Sequence, residues 1–106
     1  MDKFIAEQNV ARFRNELENG ADGPQRSTLL RLLVEEEDRL GLTREQLEET
    51  QRQIERIKQV IAKQTETVAM LKANGHSMEK AERSLANLVD LVIVHEERRK
   101  KIAAAL

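Results

Sequence analysis

His95 and His76 are the two histidines among 106 residues, and a chemical function would start from them. His95 stands beside Glu96 in a stretch that reads as one long helix. A histidine so placed could accept a phosphoryl group in a signalling relay, provided a ring nitrogen is open to a partner's aspartate. The small residue, proline or asparagine that would accompany such a site is absent, because Arg98, Arg99 and Lys100 follow. No nucleotide-binding segment accompanies it either. His95 also falls on the apolar stripe of its helix, where a polar residue fixes register or marks an oligomer boundary. That structural role is the favoured reading. A regulatory signalling component using His95 as phosphoacceptor or pH-sensitive contact is the runner-up. His76 sits in a turn and reads as a solvated loop residue. The two histidines are 19 residues apart, about 28 Å by helical rise, too far to share a metal ion within one chain.

Other chemistries find even less to work with. The absence of cysteine removes thiolate metal sites, a cysteine nucleophile and disulfides. There is no glycine-rich phosphate loop, no nucleophile–base pairing and no carboxylate spacing suited to metal ligands, and two phenylalanines make no platform for nucleotides. The expectation is a protein that is not an enzyme, with no catalytic residue, cofactor, metal or small-molecule ligand.

Two charge runs remain, Glu35-Glu36-Glu37-Asp38 and Arg98-Arg99-Lys100-Lys101. Four basic residues without aromatic or glycine companions carry little argument for phosphates, and the whole chain has a net charge of −1. No nucleic-acid partner is expected. Instead the two runs should lie near each other and offset, as exposed pairs each contributing under ~1 kcal/mol. The charge is uneven along the chain. Residues 1–41 hold six Lys/Arg against nine Asp/Glu, whereas 42–75 and 76–106 each hold six against five.

Nothing suggests a membrane. The opening residues Met1–Glu7 interrupt their apolar positions with charge, so no signal-peptide core is expected. The longest apolar concentration, Leu88 to Val94, is seven residues broken by Asp90, against roughly 20 for a span. A cytoplasmic protein is expected.

These residues must be positioned by helices. Turn formers cluster at Gly20–Pro24, Gly41–Thr43 and Asn74–Ser77, which predicts four helices over about 2–19, 24–40, 43–74 and 77–105. Thr43 is placed as an N-cap with Gln46 closing a capping box, and Leu42 and Leu47 as a hydrophobic staple, so Gly41 should be a true corner. Ser77 is the expected cap of the last helix.

The third helix repeats every seven residues, with Leu47, Ile54, Ile61 and Val68 at one seam position and Thr50, Ile57, Gln64 and Leu71 at the other. The fourth repeats with Met78, Leu85, Val92, Arg99 and Leu106, and with Ala81, Leu88, His95 and Ile102. Such stripes imply knobs-into-holes packing, and the short Asn74–Ser77 link implies an antiparallel hairpin roughly 45–48 Å long. Folding at that link places Leu71 opposite Ala81, Val68 opposite Leu85, Ile61 opposite Val92, Ile57 opposite His95, Thr50 opposite Ile102 and Leu47 opposite Leu106. Ahead of it lies a shorter hairpin. Ala6, Val10, Phe13 and Leu17 form the stripe of its first helix, with Phe4 and Ile5 beside it. Leu29, Leu30, Leu32, Leu33 and Val34 make its second helix apolar over more than one seam requires. Met70 and Met78 flank the long hairpin's turn and read as core filler.

Two segments carry a resemblance. Asn9-Val10-Ala11-Arg12-Phe13-Arg14 followed by Ser27-Thr28-Leu29-Leu30-Arg31-Leu32-Leu33-Val34-Glu35-Glu36-Glu37 resembles a group of small, all-helical bacterial proteins of unknown function. The stretch with Gln64, Leu71 and Asn74-Gly75-His76-Ser77 before a final helix is similar to another part of such sequences. The resemblance implies a bacterial cytosolic origin and adds no mechanism.

The expected fold is therefore all-α: a short helical hairpin (1–41) and a long antiparallel coiled-coil hairpin (42–106) in one domain, completing a bundle by dimerisation. Val89, Leu91, Ile93 and Val94 lie off the seam that Leu85, Leu88 and Val92 fill, so this stretch is apolar almost all round. Such a helix belongs inside an assembly. Leu29, Leu33, Leu88, Val89, Leu91, Val92, Ile93 and Val94 form the expected interface, against a second copy or another helical protein. The expected function is a non-catalytic interaction or adaptor module.

Overall fold

The structure is a computed structural model that describes residues 2–106, with side chains from residue 3 onward. Four helices run α1 (Asp2–Glu18), α2 (Gly23–Leu40), α3 (Arg44–Ala73) and α4 (Glu79–Ala105), and the fold is all-α. The two hairpins lie side by side, α1 with α2 and α3 with α4. The chain extends over 50 × 25 × 18 Å, and its radius of gyration of 15.3 Å exceeds the ~13 Å of a compact chain of similar length, so the long hairpin is a protruding rod.

Local chemistry sets the corners. Asp22 caps α2, its carboxylate accepting from the Gly23 N–H at 2.9 Å. Thr43 caps α3, its hydroxyl accepting from the Gln46 N–H at 3.2 Å. Gly41 between them has φ 84° and ψ 176°, a region that only glycine occupies without strain. The α3 terminus closes as a Schellman motif: the His76 and Gly75 N–H groups donate to the Leu71 and Lys72 carbonyls, with Gly75 at φ 71°. Helix α4 departs from expectation. Ser77 does not cap it; Met78 holds the N-cap position without a side-chain hydrogen bond.

That longer link changes the register. Gln64 Nε2 donates to the Ala81 carbonyl at 3.2 Å. Ala81 therefore faces Gln64 and not Leu71, and the hairpin is slipped by one heptad, about 10 Å, from the turn-based pairing. Ile57 becomes level with Leu88, Thr50 with His95 and Val89 with Arg56. The physical reason is that a seven-residue slip returns every seam position to a seam position, so apolar periodicity is blind to it. The packing of α2 on α4 makes the choice. At one end Asn87 and Arg83 reach Asp22, and at the other Arg98 reaches Asp38. Leu106 extends past the end of α3 and is exposed instead of meeting Leu47.

The core joins the hairpins. Val10, Phe13, Leu17, Leu29 and Leu33 from the short hairpin pack with Ile54, Ile57, Leu88, Leu91 and Val92 from the long one. Beyond it, the seam residues Ile61, Val68, Leu71 and Leu85 are half-buried, because two helices alone cover one seam. Phe4 and Ile5 are exposed, as is Met70, which fills no core.

Candidate functional site

The expected interface residues divide. Leu29, Leu33, Leu88, Leu91 and Val92 are buried within the chain, because α1 and α2 lie across the face of the long hairpin that carries them. They are core positions, not surface for a second copy. Val94 is half-buried. Val89 and Ile93 remain open, 43% and 52% exposed. On α4, Arg83, Asn87 and Arg98 reach Asp22 and Asp38 of the short hairpin, and Leu88, His95 and Ile102 are buried. Val89 and Ile93, one helical turn apart, occupy the remaining outward side.

The seam residues behave as the register dictates. Ile54, Ile57 and Ile102 are buried, Leu47, Ile61, Val68, Leu71 and Leu85 half-buried. His95 is fully buried at 0% exposure, and neither ring nitrogen has a hydrogen-bond partner. Burial drives its pKa down to about 4, with the charges of Arg14 and Arg56 adding to the effect. At neutral pH the ring is uncharged and offers no nitrogen to the surface, where a phosphoryl donor would have to meet it.

Around His95 the structure assembles polar side chains that the sequence hides among surface charges. Thr50 lies at its level and is buried. Arg14 is 5% exposed; its guanidinium donates to Glu37 at 3.0 Å and to Glu49 at 3.4 Å. Its spacing was the available signal, because Val10, Phe13, Arg14 and Leu17 stand at i, i+3, i+4 and i+7 on the core face. Burial raises the Glu37 pKa, against the pull of the Arg14 charge. Burial also pushes Glu49 upward, but hydrogen bonds from Arg52 and Gln53 and the Arg14 charge outweigh it, so its carboxyl lies below the usual range.

Arg98 corrects the expectation of two solvated charge runs. The runs do meet, with Arg98 and Lys101 reaching Asp38 at 2.8 and 3.3 Å. Yet Arg98 is buried, and its guanidinium also donates to the Glu37 and Gly41 carbonyls. It thereby satisfies backbone acceptors that the end of α2 leaves free, a cation placed at the negative end of the helix dipole. Glu37 turns inward to Arg14.

Between α1 and α3 lies a cleft of about 440 Å³ bounded by Arg14, Gln46, Glu49, Gln53 and Arg56. Most of its charges are paired within the chain: Arg56 with Glu18 at 2.6 Å, Arg52 with Glu49 at 2.7 Å, Arg14 with Glu37 and Glu49. Among the described residues, no group of three His, Cys, Asp or Glu is placed to hold a metal ion, and no helix is long and apolar enough to cross a membrane.

Fold and site together define an all-α protein of two packed helical hairpins with a buried polar layer and an apolar ridge on its last helix. Comparison with protein-family models, curated proteins and solved structures gives no match.

Proposed function

We propose that the chain is a non-catalytic helical interaction module that acts by packing its long hairpin against a second copy of itself. One observation carries this reading. The α1–α2 hairpin covers one face of the rod and leaves Val89 and Ile93 exposed, one turn apart, on the opposite side of α4. A pair of β-branched aliphatics on a helix face is suited to meeting another helix, and clustered exposed apolar residues mark interaction surfaces. The buried polar layer serves this module structurally, by fixing how the hairpins sit on each other. Self-association stabilises the folded chain by mass action, so the melting temperature should rise with protein concentration. Ile93→Asp, which buries a charge in any such contact, should abolish that rise while keeping the helical content. A wild-type melting temperature independent of concentration into the high micromolar range would overturn the reading.

A further inference from the structure

Resting on that reading, we propose that the second copy lies antiparallel to the first, about a two-fold axis that crosses α4 at Val89–Ile93. Two observations converge on this geometry. The first is position. Val89 is level with Arg56, and the rod runs from the level of Ala73 to that of Ala105, so Val89 lies about 25 Å from either end. An isologous contact brings residues against their own twins only along the axis. A perpendicular axis at mid-length overlaps the two 50 Å rods completely.

The second observation is charge. The part of the rod beyond the level of Lys58 and Asn87, residues 58–87, carries five Lys/Arg against three Asp/Glu. The rest of the chain carries thirteen against sixteen. The projecting arm is thus net positive and the four-helix base net negative. An antiparallel pair sets each arm beside the other copy's base, whereas a parallel pair sets like charge on like.

The chain has no cysteine, so single-cysteine variants take spin labels cleanly. Ala86→Cys places a label within one turn of the axis, and His76→Cys places one at the arm tip; both native residues are exposed. The pulsed dipolar distance between twin labels should be below ~25 Å for A86C and about 50 Å for H76C, from the helical rise on either side of the axis. Raising the ionic strength from about 20 to about 500 mM should weaken the dimer several-fold, because screening removes the arm–base attraction. A dimer with a short H76C distance would be parallel and would sink this geometry while leaving self-association intact. A dimer that tightens with salt would do the same. A monomer with no intermolecular dipolar signal would overturn the underlying reading as well.

Discussion

Replacing His95 by leucine should stabilise the protein, and the gain should grow as the pH falls. The ring is fully buried, and neither nitrogen is hydrogen-bonded. An orphaned buried polar group costs about 1–3 kcal/mol, so a leucine of similar size should add about 1–2 kcal/mol at pH 7. The pH dependence follows from the proton. The unfolded ring titrates near 6.5, while burial lowers the folded value to about 4. Between those values the unfolded state binds more protons, so stability falls as the pH falls through this window. It is complete above about pH 6.5 and reaches its lower plateau below about pH 4. At 1.36 kcal/mol per pH unit, the loss attributable to His95 is ~3 kcal/mol. The variant lacks that loss, so its advantage should widen to about 4 kcal/mol near pH 4. The assay is urea unfolding followed by helical circular dichroism at fixed protein concentration, from pH 4 to 8. Carboxylates titrate in both proteins and largely cancel in the difference. Parallel stability curves for the two proteins would refute the reasoning, because they would mean that the ring is hydrated and protonates freely in the folded state.

Glu37→Ala should destabilise by about 3–5 kcal/mol in urea unfolding, since it leaves the Arg14 guanidinium buried beside the partner it has lost. Burial raises the Glu37 pKa, so the unfolded group ionises first and its contribution declines as the pH rises above the usual carboxylate range. The same variant should therefore lack the decline in stability that begins as the pH rises past the usual carboxylate range. Gly41→Ala should cost about 1–3 kcal/mol, because φ 84° and ψ 176° admit no side chain without strain although space is available. Native-state hydrogen exchange should show faster exchange for amides of residues 62–72 than for 50–57, where the short hairpin covers α3.

The four helices and the first two corners were legible because each is written twice, once in periodicity and once in turn chemistry, whereas the expected Ser77 cap of α4 did not form. Gly41 and Thr43 announce the α2–α3 corner, and both do there what their residue types suggest. The register of the long hairpin was not legible. A heptad slip preserves every seam residue, and the two pairings are told apart by the Gln64–Ala81 contact, with Arg98 and Asn87 fixing where α4 sits on the short hairpin. The polar layer was obscured for a different reason. Arg14, Glu37 and Arg98 belong to residue types that are mostly solvated, so their burial depends on partners distant in sequence. His95 was readable as a seam residue from its heptad position, and its burial agrees. The division of the apolar stretch was half readable: an all-round apolar run at 88–94 demands cover, but periodicity does not say which side the chain covers for itself. The short hairpin takes Leu88, Leu91 and Val92 and leaves Val89 and Ile93.

The solution mass measured by light scattering across a concentration series bears most directly on whether this is a self-associating helical module. Wild-type protein should move from 12.2 kDa towards twice that value as concentration rises, and Ile93→Asp should stay at the monomer mass. A wild-type mass fixed at 12.2 kDa at several hundred micromolar, unchanged in the variant, would contradict it.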